Sequence, residues 1–163
     1  MVKYNPVSTY RLQFNHIFKL KDALTIIPYL KRSGIKTIYA SPVFQASKGS
    51  MHGYDVTNPL KINPEIGGEE DFISIINEVH DNNMGWLQDI VPNHMSYSTE
   101  NPWIYDVLEK GKSSAYYEYF DVIENHPDEN LKNRIMLPFF GKSLDKMITD
   151  DEPKIKLKSG GNN

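Results

Sequence analysis

Residues 86–94 constrain the fold more than any other part of this sequence, because they are typical of a buried strand that ends abruptly. The segment is rich in residues that favour strands, and Pro92 ends it because proline has no N–H to donate to a neighbouring strand. Alternation along a strand places Asp89 and Val91 on the same face of the sheet. The sequence therefore predicts a strand over residues 86–91 with a carboxylate inside it.

Asp89 is the unusual member of this strand. An ionised carboxylate in a buried strand needs a charged partner or several hydrogen-bond donors. Polar groups at the carboxyl ends of parallel strands are also where α/β proteins place their chemistry, and Asn93 and His94 follow at that end. The alternative is an ordinary strand whose Asp89 side chain caps a neighbouring backbone, and spacing alone leaves both interpretations open.

The segments before this strand alternate between strand and helix patterns. A segment of strand formers precedes a segment with apolar residues at helical spacing, and the same order then repeats. In chain order, the predicted elements are a strand over residues 8–14, a helix over 19–32, a strand over 35–40, a helix over 69–83 and the strand over 86–91. This alternation predicts adjacent parallel strands joined by right-handed crossovers, with both helices on one side of the sheet.

Several details refine these predicted elements. Pro28 lies inside the first helix and predicts a kink or a tight first segment there, and Gly34 is well placed just past the end of that helix. In the second helix, helical spacing predicts one face formed by Phe72, Ile73, Ile76, Val79 and His80. Residues 43–69 are predicted as a long connection rich in glycine and proline. Loops of this length are usually functional, and disorder is the alternative.

Composition restricts the classes of function. The chain of 163 residues has a hydrophobic fraction of 39% and an aromatic fraction of 12%, which suit a globular protein. The net charge is only -3, with neither a basic stripe typical of nucleic-acid binding nor an apolar run long enough for a membrane span. The absence of cysteine excludes disulfides and thiolate metal sites. These observations predict a soluble, cytoplasmic protein without nucleic-acid or membrane partners.

The pattern changes after residue 95. Aromatic residues are then spread among polar and turn-forming residues, and this weak periodicity predicts an excursion from the sheet. We therefore divide the chain into residues 1–95, which carry the strand–helix alternation, and residues 96–163, which begin an inserted subdomain. The last part, from Thr149, is rich in charge and glycine and is predicted to be an exposed or mobile tail.

A second group of polar residues lies in the turn at residues 52–55, beyond the second predicted strand. Tyr54 offers an apolar face on which sugar C–H groups can stack, and Asp55 can bind a hydroxyl or a guanidinium. His94 could donate a hydrogen bond to a sugar hydroxyl. The alternatives are a plain turn and a structural histidine. The residue types of His52, His94 and Asp55 also permit a metal site, but nothing in their spacing favours one.

Several motifs occur in order along the chain. Asp-Ile-Val-Pro-Asn-His at residues 89–94 resembles the first signature segment of the α-amylase superfamily of glycosidases and transglycosidases. Further motifs narrow the resemblance to the maltooligosyl trehalose synthase family within that superfamily. They are Ser-Thr-Tyr-Arg-Leu-Gln-Phe at 8–14, Tyr-Ala-Ser-Pro-Val at 39–43, Gly-Ser-Met-His-Gly-Tyr-Asp-Val at 49–56, Asn-Pro-Glu-Ile-Gly-Gly-Glu at 63–69 and Trp-Ile-Tyr-Asp-Val-Leu-Glu-Lys-Gly at 103–111.

This resemblance implies a fold and a reaction. The α/β fold would be the amino-terminal β-α-β-α-β portion of a (β/α)8 TIM barrel, followed by the start of an inserted domain after the third strand. Such a barrel takes about 250 residues, so the chain is expected to be part of a longer protein. The reaction would convert the reducing-end α-1,4 linkage of a maltooligosaccharide into an α,α-1,1 linkage by intramolecular transglycosylation, without a cofactor or a metal.

The resemblance also implies roles for individual residues. The substrate-binding residues would be His52, Tyr54, Asp55 and His94. Among them, Tyr54 would stack on the sugar at the scissile subsite, His94 would hydrogen-bond that sugar and Asp55 would hold the polar network. Asp89 and Asn93 would be structural, with Asp89 paired to an arginine on a later strand. The catalytic carboxylates would follow the third strand, so this chain alone, without the remainder of the parent protein, is expected to be inactive.

Two alternatives stay open at this point. The chain could belong to a hydrolase or another transglycosidase of the same superfamily, which product analysis would separate from the isomerising enzyme. It could also be a small carbohydrate-binding or interaction domain without enzymatic activity.

Overall fold

The computed structural model describes residues 5–122, 124–132 and 143–150. The chain divides into two compact units, Met1–Tyr119 and Phe120–Asn163. Most of the predicted tail, residues 151–163, lies outside the described residues. The predicted division at residue 95 stays a prediction, and the first unit continues beyond it.

Three parallel strands form the central sheet of the first unit. They are β1 (Thr9–Leu12), β2 (Thr37–Ala40) and β5 (Gly85–Gln88), and their order in the sheet is β1-β2-β5. In the register, Arg11 lies opposite Tyr39, and Tyr39 lies opposite Leu87. The predicted parallel and adjacent arrangement is therefore confirmed, although each strand is shorter than predicted.

The strands are short because their partners change at their ends. The Phe14 N–H donates to the Ser41 hydroxyl at 2.8 Å, so a side chain replaces the ladder beyond β1. The Asp89 N–H still donates to the Ala40 carbonyl at 2.9 Å, but β2 ends there. A strand cannot continue without a neighbour to bond, which is why β5 stops well before Pro92.

Two short helices replace the single predicted helix between β1 and β2. They are α1 (Leu20–Leu24) and α2 (Ile27–Arg32), and Pro28 lies in the first turn of α2. Proline fits there because the first N–H groups of a helix have no partner inside it. Gly34 follows the end of α2 with a φ of 82°, a left-handed conformation that favours glycine. Instead of a kink at Pro28, the helical segment is interrupted at residues 25–26 and Pro28 lies near the start of its second part.

Helix α3 (Gly68–Asp81) confirms the second predicted helix but corrects its buried face. Ile75 and Val79 are fully buried, whereas Ile73 is 52% exposed and His80 lies at the surface. Residues 73, 76 and 80 share helical spacing, as do 72, 75 and 79, and these two stripes lie side by side on a helix. The predicted face merged them, but only the second stripe faces the core.

One hydrophobic core joins the helices to one face of the sheet. Its buried members are Leu12, Phe14, Leu20, Ala23, Ile27, Leu30, Ile38, Ala40, Val43, Ile66, Ile75, Val79 and Met84. Trp86 of β5 packs against this core, with its ring stacked on Phe14 and edge-on to Phe72. Both helical segments contribute to this core, so the prediction that they lie on one side of the sheet is confirmed.

The predicted connection over residues 43–69 is wrong in part, because it contains a second sheet. Strands β3 (Phe44–Ala46) and β4 (Val56–Ile62) pair in antiparallel fashion, and a 3-10 helix (Pro64–Ile66) follows them. The register jumps between the Phe44–Ile62 and Gln45–Asn58 pairs, and Pro59 lies inside that jump. Proline is tolerated at such an irregularity, and for that reason its presence did not exclude a strand.

The remaining described elements are mostly short helices. In the first unit, α4 (Pro102–Lys110) is followed by 3-10 helices at Gly111–Ser113 and Tyr117–Tyr119. Asn101 caps α4 by accepting hydrogen bonds from two backbone N–H groups of its first turn. The second unit contains a 3-10 helix (Glu129–Leu131) and α5 (Leu144–Thr149).

The corrected face of α3 gives a stability test with two residues of one type. Ile75→Ala removes a side chain with no exposure and leaves a cavity, so we expect the unfolding free energy of the intact protein to fall by about 2–5 kcal/mol. Ile73→Ala is the matched control and should cost about 0.5 kcal/mol or less. Urea unfolding midpoints of both variants check this, and equal losses would contradict the assigned face.

Candidate functional site

The polar site lies on the face of the sheet opposite the helices, toward the carboxyl ends of the strands. Arg11, Tyr39 and Leu87 occupy equivalent positions on the three strands, and Asp89 follows Leu87 by two residues on the same face. Alternation therefore brings a guanidinium, a phenol and a carboxylate to one edge of the sheet.

The carboxylate of Asp89 accepts three hydrogen bonds through one oxygen, Oδ2. The donors are Arg11 Nη1 at 3.0 Å, the Tyr39 hydroxyl at 3.1 Å and the Tyr54 hydroxyl at 2.6 Å. Arg11 also donates from Nη2 to the Tyr54 hydroxyl at 3.0 Å, and its guanidinium carbon lies 4.6 Å from the centre of the Tyr39 ring. We call Arg11, Tyr39, Tyr54 and Asp89 the Asp89 cluster.

Asp89 has a guanidinium partner within this chain. In the described part of the chain, that partner is Arg11 of the first strand. The sheet order permits this pairing, because it leaves only β2 between β1 and β5, and the long Arg11 side chain crosses β2 over the Tyr39 ring. The arginine on a later strand that the resemblance implied stays a prediction.

These bonds fix the charge states in the cluster. The hydrogen bond from Tyr54, together with those from Arg11 and Tyr39, holds the pKa of Asp89 below its usual value. The same bond to Asp89 raises the pKa of Tyr54, because loss of its proton would place two negative charges together. The hydrogen bond to Asp89 also raises the pKa of Arg11. The cluster is thus an ion pair of Arg11 and Asp89, and the Tyr54 and Tyr39 hydroxyl groups donate hydrogen bonds to its carboxylate.

Backbone geometry fixes the turn that carries Tyr54. Gly53 has a φ of 75°, and a Cβ atom there would lie 2.9 Å from the Pro42 carbonyl oxygen, so only glycine fits without strain. The Tyr54 N–H donates to His52 Nδ1 at 3.0 Å, and the two rings stack with their centres 5.9 Å apart. The structure thus brings His52 and Tyr54 together as an aromatic pair.

Asp55 belongs to the inner side of this turn. Its Oδ1 atom accepts a hydrogen bond from the Ser50 hydroxyl and lies 3.7 Å from His52 Nδ1. That separation is too long for a hydrogen bond, and His52 Nδ1 already accepts the Tyr54 N–H. Asp55 makes none of the hydrogen bonds of the Asp89 cluster within the described part of the chain.

Asn93 and His94 lie in the loop that follows β5, and both side chains are exposed. Across residues 5–122, neither takes part in the hydrogen bonds of the Asp89 cluster. The loop itself is anchored, because the Ser96 N–H donates to the Val56 carbonyl at 2.8 Å and the Ser47 and Ser96 hydroxyls lie 2.9 Å apart. The predicted closeness of His94 to Tyr54 stays a prediction.

The described residues also limit other kinds of site. Among them, no group of three or more His, Asp or Glu side chains is placed to hold a metal ion. Over the same residues, no helix has the length and apolar character needed to cross a membrane.

The sequence analysis missed two residues of the Asp89 cluster, namely Arg11 and Tyr39. A usable signal was present, because alternation places Arg11 and Gln13 on one face of the first strand and Asp89 on one face of the third. A parallel sheet aligns those faces. The missing step was to ask which strand neighbours could supply the donors that Asp89 needs.

Comparison with known families identifies the fold. The family described as "Alpha amylase, catalytic domain" matches residues 19–149 of this chain. A Mycobacterium tuberculosis protein assigned as a maltooligosyl trehalose synthase is 38% identical over 146 residues, which cover 85% of this chain and 19% of that protein. An α-amylase of Dictyoglomus thermophilum is 34% identical over 124 residues, covering 71% of this chain and 21% of that protein.

Solved structures agree with these sequence matches. The maltooligosyltrehalose synthase of Arthrobacter ramosus superposes with a TM-score of 0.76 at 39% identity, covering 88% of this chain and 19% of that chain. The chain thus spans about a fifth of the length of these relatives. Its parallel strands and packed helices correspond to a portion of their barrel. The chain therefore belongs to the alpha-amylase family, and its fold is part of that family's TIM-barrel catalytic domain.

Proposed function

We propose that the protein containing this chain isomerises maltooligosaccharides. It transfers the glycosyl group from O4 of the reducing-end glucose to O1 of the same glucose, which converts an α-1,4 linkage into an α,α-1,1 linkage. The atoms balance without added water, because donor and acceptor belong to one molecule. The observation that carries the proposal is the fixed aromatic turn above Asp89, in a chain that matches maltooligosyl trehalose synthases over most of its length.

Tyr54 supplies a sugar-binding surface in this proposal. Its hydroxyl is already engaged by Asp89 and Arg11, and one face of its ring lies against His52. The other ring face is what remains for a sugar, and an aromatic face suits the C–H groups of a glucose ring. Because both the hydroxyl and the backbone of Tyr54 are held, little conformational entropy is lost on binding.

Asp89 orients the site in this proposal and does not react. Retaining chemistry on a glycosidic bond needs a nucleophilic carboxylate and a protonated carboxyl group about 5–5.5 Å apart. A lowered pKa makes Asp89 a poor acid, and three donors on one oxygen make it a poor nucleophile. The reacting carboxylates therefore come from other parts of the intact protein.

The loops on either side of Tyr54 complete the proposed binding surface. His94 is exposed at the carboxyl end of β5, where it can reach a sugar hydroxyl. Asp55 holds the turn through Ser50 and leaves part of its carboxylate exposed, while His52 supports the Tyr54 ring. Asn93 lies in the turn before His94, and its role in the proposal is structural.

The first prediction concerns the products of the reaction. The intact protein acting on maltopentaose should yield a product of unchanged mass that no longer reduces copper, because O1 of the terminal glucose becomes part of the new linkage. Mass spectrometry and a reducing-end assay on the same sample check this. A rise in reducing ends, with shorter oligosaccharides, would instead indicate a hydrolase of the same family.

The second prediction separates the ring of Tyr54 from its hydroxyl. Tyr54→Ala in the intact protein should lower kcat/KM by about five- to 150-fold, since stacking of bases on aromatic rings, a comparable contact, contributes about 1–3 kcal/mol. Tyr54→Phe keeps the aromatic face for stacking, so its kcat/KM should fall less than that of Tyr54→Ala. Tyr29→Ala, at a surface position of α2 that is 62% exposed, is the control. Steady-state kinetics check the order, and an unchanged rate for Tyr54→Ala would remove it from the site.

The third prediction tests whether Asp89 is a structural carboxylate. Its folded-state pKa is lowered, so its stabilising contribution is present above the ordinary aspartate pKa of about 3.9 and is lost as the pH falls through the folded-state value. The stability difference between the wild-type protein and Asp89→Asn should therefore be largest near neutral pH and should shrink below about pH 4. Thermal unfolding from pH 7 to pH 3 measures this difference.

Asp81→Asn is the matched control for this series. It removes an exposed carboxylate at the end of α3 that takes no part in the Asp89 cluster, and so reports how the rest of the protein responds to pH. If the stability difference between the wild-type protein and Asp89→Asn has the same pH dependence as that of Asp81→Asn, the structural role of Asp89 is contradicted.

A further inference from the structure

Gln13 connects the Asp89 cluster to the turn that carries Tyr54. It lies two residues beyond Arg11 on the same face of the first strand, just past the end of β1. Its Oε1 atom accepts a hydrogen bond from Arg11 Nη2 at 3.3 Å. Its Nε2 atom donates to the backbone carbonyl oxygens of Met51 and His52, both at 3.3 Å, and to that of Phe14 at 3.4 Å.

The orientation of the Gln13 amide follows from its neighbours. A guanidinium can only donate hydrogen bonds, and a backbone carbonyl oxygen can only accept them. The amide oxygen must therefore face Arg11, and the amide nitrogen must face Met51 and His52. A side chain without both a donor and an acceptor cannot make these two connections at once.

Together with the backbone of the turn, these hydrogen bonds form a closed ring. From Asp89 it passes to Arg11, then to Gln13, then to the carbonyl groups of the turn, and it returns through Tyr54 to Asp89. The turn is thus held at two points, at its carbonyl groups by Gln13 and at the Tyr54 hydroxyl by the carboxylate. Two held points fix a rigid segment in orientation as well as in position.

The segment between these points is itself rigid. The Gly53 N–H donates to the Ser50 hydroxyl at 3.1 Å, and the Tyr54 N–H donates to His52 Nδ1 at 3.0 Å. A Cβ atom at Gly53 would lie only 2.9 Å from the Pro42 carbonyl oxygen, so the turn packs closely against the chain just after β2. A displacement of the carbonyl groups at residues 51 and 52 would therefore move the Tyr54 ring.

We infer that Gln13 is a positioning residue that sets the orientation of the His52–Tyr54 aromatic pair relative to Asp89. It contacts the backbone of the turn and the guanidinium and acts on a sugar only through Tyr54. This inference rests on the proposed sugar-binding role of Tyr54, but the clamp itself can be measured without any substrate.

The test compares Gln13→Glu and Gln13→Met with Gln45→Glu in the intact protein. Gln45 is a half-buried glutamine of β3 whose side chain makes none of the bonds of the ring, so it controls for the change of charge. An ionised glutamate at position 13 has no N–H or O–H for the carbonyl groups and attracts Arg11 away from Tyr54. A protonated glutamate regains one O–H donor, whereas methionine has none at any pH.

Hydrogen–deuterium exchange of the amides of Gly53 and Tyr54 measures the clamp directly. Both Gln13 variants should exchange these amides about tenfold faster at pH 7, since loosening the clamp raises the open population of the turn. Gln45→Glu should exchange them at the wild-type rate. Wild-type exchange in both Gln13 variants would overturn the inference, whatever the enzyme does.

The pH dependence of kcat/KM measures the consequence for the substrate. Gln13→Met should lower kcat/KM about tenfold at every pH, because a small misplacement of a substrate-positioning group is costly. At pH 7, Gln13→Glu should lower kcat/KM at least as much as Gln13→Met does. Its kcat/KM should approach the wild-type value as the pH falls through the pKa of the new carboxylate, which Arg11 holds below the ordinary glutamate value of about 4.3. Recovery of kcat/KM in acid would indicate that the regained O–H donor restores the clamp, since a general loss of stability would become worse in acid.

The outcomes separate the two proposals. If Gln13→Glu shows a pH-independent loss, or none beyond that of Gln45→Glu, the positioning role is wrong even though Tyr54 binds sugar. If Tyr54→Ala keeps the wild-type rate while the exchange result holds, the clamp stands and the sugar-binding role of Tyr54 fails. If Gln13→Met does not fold, the comparison of Gln13→Glu with Gln45→Glu decides the question alone.

Discussion

Three hydrogen bonds to a single oxygen of Asp89 join parts of the chain that are far apart in sequence. Their donors, Arg11, Tyr39 and Tyr54, lie 78, 50 and 35 residues away along the chain. A carboxylate whose side chain is only 16% exposed has lost most of its hydration, and these donors replace it. Because each donor comes from a different segment, satisfying one carboxylate fixes β1, β2 and the turn relative to the end of β5.

One face of the sheet packs on the hydrophobic core, and the other carries the Asp89 cluster. On the helix side, Ile38, Ala40 and Trp86 pack with the core, and burial of their apolar surface stabilises the parallel arrangement. On the opposite face, alternation leaves Arg11 and Tyr39 in register with Leu87, so any polar residue placed there meets the others at the carboxyl ends. The ion pair spans three strands and exists only when those strands are aligned, so it depends on the packing of the apolar face.

How much the sequence predicts depends on whether a feature is local. Periodicity predicted the three parallel strands, the two helical segments and a break near Pro28, because those patterns report on neighbouring residues. Periodicity gave wrong or incomplete predictions where contacts between residues distant in sequence determine the structure. The strand ends depend on where a partner stops, the β3–β4 pair tolerates Pro59 at a register jump, and the exposure of Ile73 depends on which of two adjacent stripes meets the core. The partner of Asp89 was missed for the same reason, since Arg11 becomes its neighbour only in the folded sheet.

The chemistry of the Asp89 cluster explains why it suits the positioning of a substrate and not proton transfer. A group that exchanges protons during turnover needs a pKa near the working pH, whereas here the carboxylate is held ionised and the Tyr54 phenol is held neutral. The ionised carboxylate and the neutral phenol stabilise each other. The cluster therefore resists a change of protonation over the pH range in which a catalytic acid must gain and lose its proton. Such a fixed ion pair can orient an aromatic ring for a neutral oligosaccharide without competing for the proton that the reaction moves. Reacting carboxylates and a rigid binding surface are therefore best supplied by separate residues, and in the proposed function this segment supplies the binding surface.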